Sequence, residues 1–345
     1  MVKIGDFVID GRKKAFIVAE IAQAHDGSLG QAHSYIDAVS KAGADAIKFQ
    51  THIAEAESTI DEGFRTAMSS QDQNRFEYWK RVSFTTEQWL ELSEHSKEKG
   101  LIFLSSAFSE EAVNLLAEIG MPAWKLGSGE VFNYSIIDLM IMKGGPILLS
   151  TGMSSWNEII KSINYILNKG GDPAVLQCTT KYPTPLKEVG LNVLKEFKEK
   201  FNIPYGISDH SGTPWPSLAA LALEIDLLEV HVTFDRSIYG PDSSSSLNFS
   251  ELSMICQANN AFSIMRENPV DKDKTAKMLE STKSLFTKSL SPKYNLAAGT
   301  KLTKDMLTLK KPSGGFNINQ IDKVIGKKLK EALPSNKILM PHHLE

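Results

Sequence analysis

The sequence predicts an α/β protein: a closed (β/α)8 TIM barrel over residues 1–265, a linker over 266–283 and a small second fold over 284–345. Three observations predict it. Apolar runs and amphipathic stretches alternate eight times. The runs are continuous rather than every-other-residue, as in parallel strands buried on both faces. Each run turns polar or ionisable only at its C-terminal tip, which is where a barrel of this kind builds an active site.

Residues 1–15 read as a short hairpin lid turning at Asp10-Gly11. Strands are expected near 16–22, 46–51, 101–108, 123–129, 146–152, 174–180, 205–211 and 227–233. Helices are expected over 30–42, 86–99, 109–119, 134–143, 155–168, 188–200, 215–224 and 250–265. Gly43, Gly100, Gly120 and Gly144-Gly145 follow helices, where a left-handed residue closes the last turn. Residues 52–85 form an acidic, aromatic loop too long for a plain connection. It is either a cover over the barrel mouth or an oligomer contact. The linker RENPVDKDKTAKMLESTK is charged and partly helical. Beyond it lie SLFTKSLSP, AAGTKLTKDMLTLKKPSGG and an amphipathic stretch at Asn319–Leu329. A fold of about 60 residues has a small core and is expected to lean on another surface.

A net charge of −3 over 345 residues argues against a nucleic-acid or membrane-surface role for the whole chain. Residues 281–345 hold 12 Lys against 4 Asp or Glu, a balance of +8, which leaves −11 for the rest. The basic tail is either a solvated face or a surface that docks onto an acidic barrel or an anion. The two cysteines, Cys178 and Cys256, are too few for a disulfide framework and fit a reduced, cytoplasmic protein. The opening MVKIGDFVIDG lacks the apolar run of a signal peptide. Ser217–Val232 is the most apolar long stretch, but Glu224, Asp226 and Glu229 interrupt it and bar a bilayer span.

The chemistry is expected at the tips. His210 and His231 end the seventh and eighth strands, 21 residues apart. Neighbouring strands lie about 4.8 Å apart, so both imidazoles can reach one ion, with Asp209, Asp242 and Glu20 as oxygen donors nearby. They can equally bind substrate or a core carbonyl. Lys48 and Lys125 stand in apolar strands, where an ammonium needs a partner. That partner is a carboxylate, an anionic ligand or an imine-forming carbonyl. Ser106, Ser128, Ser150 and Ser208 surround them with hydroxyl donors, a ring suited to phosphate or carboxylate. Gly127 and Gly129 are expected to let a ligand approach the backbone beside Lys125. Glu20 and Glu130 can serve as acid or base, orient a hydroxyl, or pair with the lysines. Tyr182, in the rigid KYPTP turn, either touches substrate or packs. His25 is a candidate for the mouth, and His33, His52, His95, His342 and His343 look ordinary.

EIAQAHDGS, GADAIKFQT, WKLGSGE, LLSTGM, LQCTTKYPTP, GISDHSG and LEVHVTFDRSIYGPD resemble, in order, the motifs of the sialic acid synthase family. These are phosphoenolpyruvate-dependent synthases of nine-carbon nonulosonic acids. AAGTKLTKDMLTLKKPSGG and VIGKKL resemble that family's C-terminal antifreeze-like (SAF) domain. The resemblance covers nearly the whole chain. It implies a barrel with an antifreeze-like domain, arranged as a domain-swapped dimer in which each tail closes the partner's site. It implies a divalent metal at His210 and His231, Mn2+ first, with Mg2+ and Co2+ as alternatives. Glu20 corresponds to the family's catalytic glutamate. Lys48, Ser106, Lys125, Ser128, Ser150 and Ser208 correspond to its phosphoenolpyruvate ligands. Glu130, Tyr182 and Asp242 correspond to its amino-sugar contacts. Three positions depart from the pattern. Ala24 precedes His25, and Thr180 follows the Cys-Thr pair at the sugar end. Lys311 stands where bacterial N-acetylneuraminate synthases place an arginine that reaches the N-acetyl group, and a lysine lacks that planar fork.

The implied activity is condensation of phosphoenolpyruvate with N-acetylmannosamine or a 2,4-diacetamido-trideoxy relative. Its rivals are a phosphoenolpyruvate-condensing enzyme for a sugar phosphate, an imine-forming aldolase and a non-enzymatic binding protein.

Overall fold

The computed structural model describes residues 2–9, 14–65 and 71–345, which form two compact units. The first runs to Glu267, and the second spans Asn268–Glu345. In the first, β1 (Val2–Ile4) and β2 (Phe7–Ile9) pair as an antiparallel hairpin. Its turn is Gly5-Asp6, with Gly5 at φ +54°. The expected turn at Asp10-Gly11 is therefore wrong: the hairpin closes five residues earlier, and Asp10 and Gly11 lie outside the described residues.

Eight parallel strands follow and close into one barrel. They are β3 (Phe16–Ala22), β4 (Ala46–Thr51), β5 (Ile102–Ala107), β6 (Trp124–Leu126), β7 (Ile147–Ser150), β8 (Pro173–Gln177), β9 (Tyr205–Asp209) and β10 (Leu227–His231). Strand β10 pairs with β3 to complete the ring. The helices are α1 (Leu29–Ala42), α2 (Ala54–Glu57), α3 (Arg75–Val82), α4 (Thr86–Glu98), α5 (Glu110–Ile119), α6 (Tyr134–Lys143), α7 (Trp156–Asn168), α8 (Leu191–Lys200), α9 (Trp215–Ala222) and α10 (Phe249–Glu267).

Local chemistry sets these boundaries. Ser28, Ser109 and Ser155 cap α1, α5 and α7 by accepting from the amide three residues on. Thr85 and Gln88 form a capping box at α4. Gly43 and Gly120 end α1 and α5 in the left-handed conformation; Gly144, at φ 84° and ψ 172°, leaves α6 by a different path. Continuous apolar strands face one core shared with the helices and with Val2, Ile4 and Ile9. Phe7 packs on Phe16, and Gly5 faces Ile102, the first residues of β3 and β5. The hairpin therefore plugs the N-terminal end of the barrel and leaves the opposite rim open.

The described residues of the 52–85 loop are not structureless. Helices α2 and α3 bury Ala54, Tyr78, Trp79 and Val82 in a small core of their own, which Phe64 and Phe76 flank.

In the second unit, α11 (Lys272–Met278) and α12 (Glu280–Phe286) make the expected linker helical. Strands β11 (Ser289–Pro292) and β12 (Leu307–Lys310) pair antiparallel over a leucine-rich core that includes Leu290, Leu302, Leu329 and Leu339. The amphipathic stretch at Asn319–Leu329 folds only as a short 3-10 segment, Ile318–Lys323. Among the described residues, no helix is long and apolar enough to cross a membrane.

Gly206 in β9 lies directly against β10: a Cβ there would stand 1.9 Å from the Leu227 carbonyl oxygen. Backbone cannot retreat as a side chain can, so Gly206→Ala is expected to destabilise by about 3 kcal/mol. Gly30→Ala, where nothing lies within 4 Å, is expected to be neutral or stabilising by up to ~1 kcal/mol. Urea midpoints of the two variants check the contrast.

Candidate active site

Strand register brings the ionisable tips together. His231 pairs with Glu20, and Glu20 pairs with Lys48, so three neighbouring strands place imidazole, carboxylate and ammonium at one level. A register shift follows Glu20, and Ala22 takes φ 47°, left-handed backbone that alanine rarely adopts. This irregularity lies where β3 hands over its catalytic candidate. Two residues earlier in β10, Glu229 faces the same way as His231 and pairs in register with Ser208.

The open rim leads into a cavity of about 440 Å³. Glu20, Lys48, Lys125 and Glu229 meet at its base, exposed by only 1%, 2%, 6% and 4%. The Lys48 ammonium is ion-paired with Glu20, lies 3.7 Å from Glu229 and donates to the Ser106 hydroxyl at 3.0 Å. Lys125 donates to the Ser150 hydroxyl at 2.7 Å and lies 3.8 Å from the other Glu229 oxygen. Ser208 donates to that same oxygen at 2.7 Å. The four charges sum to zero, the condition for burying them together.

Their environments differ. Burial, together with the Glu229 charge, pushes the Glu20 carboxyl up to about 7 against the pull of Lys48. Burial alone would also raise Glu229, but Lys125, Lys48 and the Ser208 hydroxyl more than reverse it and hold that carboxyl low. Burial works against the Lys48 proton, yet the two carboxylates keep it in place. Burial dominates at Lys125 and lowers its pKa. Lys48 engages Glu20 Oε2, and Oε1 has no hydrogen-bond partner, so that oxygen is open to a donor.

The imidazoles stand to one side. The His210 and His231 ring centres are 5.1 Å apart. His210 Nδ1 lies 3.2 Å from the Thr179 carbonyl, which can only accept, so Nε2 carries the lone pair, with the Tyr182 and Ser208 hydroxyls each 3.4 Å from it. Burial lowers the His210 pKa to about 3 and lowers that of His231 as well. Two neutral imidazoles, with Asp242 Oδ2 3.8 Å from His231 Nδ1, are a donor set that suits a divalent cation. Tyr182 packs on His210, ring centres 4.3 Å apart.

Ser128, Thr180 and Glu130 line the remaining wall. Ser128 accepts from the Gly152 amide at 3.0 Å; the buried Thr180 hydroxyl has no partner; Glu130 accepts from Asn133 at 2.7 Å and touches neither lysine. Gly152 is the crowded glycine of this wall, while Gly127 and Gly129 are not crowded. A Cβ on Gly152 would stand 2.3 Å from the Thr180 hydroxyl, whereas both other glycines have room for one. His25 is not at the mouth. It is buried against Phe49 and Phe84, where burial pushes its pKa down to about 3. Lys311 belongs to the second unit, its ammonium 4.7 Å from the Phe286 ring centre.

Sequence reasoning passed over several residues of the cavity. Glu229 could have been found from the two-residue period that puts it on the same face as His231. His52 is sandwiched between Trp79 and Phe108 and bonded to Glu57 at 2.5 Å. Arg65, Glu62 and Arg75 arrive from the 52–85 loop, and no strand pattern announces them.

The NeuB family model matches residues 35–270, and the SAF domain model matches 287–345. The chain is 30% identical to the N,N'-diacetyllegionaminic acid synthase of Campylobacter jejuni, over 91% of this chain and 96% of that one. It is 31% identical to human N-acetylneuraminate-9-phosphate synthase, over 93% and 90%. A crystal structure of N-acetylneuraminic acid synthetase from Leptospira borgpetersenii in complex with citrate superposes with a TM-score of 0.71 at 26% identity, over 81% of this chain and 96% of that one.

The two carboxylates should respond oppositely to neutralisation. Glu20 binds its proton more tightly folded than unfolded, so its ionisation removes stability as pH rises from 4.5 to about 7. Glu20→Gln lacks that loss, and its stability is expected to gain on the wild type across this window, by a few kcal/mol at most. Glu229→Gln leaves Lys125 without its main counter-charge and is expected to cost about 3 kcal/mol at pH 7. Urea unfolding in chelator at pH 5, 6 and 7 measures both.

Proposed function

The chain belongs to the NeuB family, and from that premise we propose that it condenses phosphoenolpyruvate and water with an open-chain N-acetylated amino hexose. The products are a nine-carbon nonulosonic acid and phosphate. N-acetylmannosamine and a 2,4-diacetamido-trideoxy hexose are the candidate sugars. The observation that carries this reading is the pair of buried ammoniums, Lys48 and Lys125, each bonded to a serine hydroxyl at the base of one cavity.

Phosphoenolpyruvate is a small dianion or trianion. Lys48, Lys125, Ser106, Ser128, Ser150 and Ser208 offer it cations and short donors in a water-poor site, where each contact counts for more than in bulk water. The sugar lies toward Glu130, Thr180, Tyr182 and Asp242. The methylene carbon of phosphoenolpyruvate bonds to the sugar aldehyde carbon, and the aldehyde oxygen takes up a proton. Water adds to the cationic C2 and loses one proton to Glu20, replacing the proton that the aldehyde oxygen took from it; the C–O bond to phosphate then breaks as the remaining C2 hydroxyl gives its proton to the departing phosphate and becomes the ketone. Glu20 suits this role because its carboxyl titrates near neutrality and its Oε1 is unsatisfied. Holding both reactants in one cavity supplies much of the acceleration, several kcal/mol by effective-molarity arguments.

His210 and His231 would hold the divalent metal, Mn2+, Mg2+ or Co2+, with Asp242 beside them. When bound, such an ion polarises the aldehyde oxygen. The domain-swapped dimer, with Lys311 reaching a partner's sugar site, and a cytoplasmic location belong to the same proposal. One observation favours a second reading: the lowered pKa of Lys125 suits an imine-forming amine.

Phosphate release from phosphoenolpyruvate with Mn2+ is expected with N-acetylmannosamine or a 2,4-diacetamido-trideoxy hexose, and no release is expected when the sugar is omitted. Glu20→Gln is expected to lower kcat by ~10²–10⁴-fold. Borohydride with substrate should trap no lysine adduct; trapping at Lys125 would establish the imine reading instead. Calorimetric titration of Mn2+ should show binding to the wild type and a loss of at least ~10-fold in affinity for His210→Ala.

A further inference from the structure

The 52–85 loop delivers a guanidinium to the imidazole side of the cavity. Arg65 lies flat on Tyr182, its Cζ 3.8 Å from the ring centre. Its Nη2 donates to Asp242 Oδ1 at 2.7 Å and to the Pro241 carbonyl at 3.1 Å. The other Asp242 oxygen faces His231, and Tyr182 covers His210. Arg65 therefore packs on the two side chains, Tyr182 and Asp242, that flank the imidazole pair, and it arrives from a loop rather than from a strand.

We propose that Arg65 is a specificity-determining residue: it binds the amino sugar, donating to the acyl carbonyl oxygen of that substrate. This rests on the reading of the cavity as a nonulosonic acid synthase site. Two features support it. A guanidinium has five N–H donors, and the contacts with Asp242 and Pro241 use one nitrogen. Stacking on Tyr182 and pairing with Asp242 fix the plane of the fork, so its remaining donors are pre-oriented toward a planar acceptor such as an acyl oxygen. The lysines sit at the base, so Arg65 can act on the sugar without contributing to the phosphoenolpyruvate half.

The test measures phosphate release with Arg65→Met and Arg65→Lys against the wild type. Each is assayed with the N-acetylated sugar and with its unacylated hexosamine, and thermal midpoints are recorded for all three. The expected result for Arg65→Met is a ~10–100-fold rise in the KM for the N-acetylated sugar, the worth of a charge-assisted hydrogen bond. The KM for phosphoenolpyruvate and the thermal midpoint should stay within about 2-fold and a few degrees, differences too small for a lost cation site or lost fold. Arg65→Lys should recover part of the loss, because it keeps the charge and loses the fork. An unchanged sugar KM, or equal rises for both substrates, overturns the proposal. If Arg65→Met does not fold, the Arg65→Lys sugar KM decides alone, and no rise overturns it. If the wild type releases no phosphate with any sugar, the underlying reading falls, and that outcome is distinct from failure of the variants.

Discussion

A closed barrel has room for polar side chains along its axis only if they satisfy one another. Here that constraint is met by Glu20, Lys48, Lys125 and Glu229, buried together at the base of the cavity. An isolated buried charge costs many kcal/mol, and a balanced, hydrogen-bonded set costs far less. The rest of the site follows. The serines at the tips exist as partners for ammoniums, the apolar lower strands supply the low-dielectric floor, and the N-terminal hairpin keeps water out from below. The arrangement holds together without substrate yet leaves Glu20 Oε1 unsatisfied, which is a poised state rather than a relaxed one.

The same balance divides the labour between two carboxylates. Glu229 sits between both ammoniums and accepts from Ser208, so it stays ionised and acts as fixed counter-charge. Glu20 has one ammonium, an adjacent carboxylate and no neutral donor, so it exchanges its proton near neutrality. Two residues of one type thus acquire two roles from environment alone. An arriving trianion would add negative charge to a neutral set and favour the protonated form of Glu20. Substrate binding and proton handling are therefore coupled through the same four groups.

Most of the scaffold was legible because its signals are local. Strand runs such as Phe16–Ala22 and Ala46–Thr51, and helix ends such as Gly43 and Gly120, follow from burial and capping rules within a few residues. The residues expected at the tips converge for the same reason: a parallel barrel sends every C-terminal tip to one rim. What stayed hidden depends on non-local packing. Glu229 looked like an interruption of an apolar run until register placed it between two lysines. Gly152 matters because Thr180, Cys178 and Ser128 crowd it from two other strands' tips. His25 sits just after a tip, but a tight turn folds it back onto aromatic rings instead of outward. The hairpin turn was misplaced because Asp-Gly is a strong turn signal, while pairing of Val2 with Ile9 demanded an earlier one.

The division between strand and loop has a consequence for how such a protein changes its substrate. Groups on the strands are fixed by ladder register, and moving one disturbs its neighbours on both sides. Groups on residues 52–85 are held by a small separate core of Tyr78, Trp79 and Val82, with Arg75 paired to Glu62 and Arg81 paired to Asp72 and Asp26. That core can be rebuilt without touching the lysines. Reaction chemistry therefore sits on elements that tolerate little change, and the proposed Arg65 contact with the second substrate sits on an element that tolerates much. Relatives that share about 30% identity and carry names for different nine-carbon acids are what such a division would produce. On this view the loop adds to the sugar contacts proposed at Glu130, Thr180, Tyr182 and Asp242, and motifs alone identify the reaction before they identify the sugar.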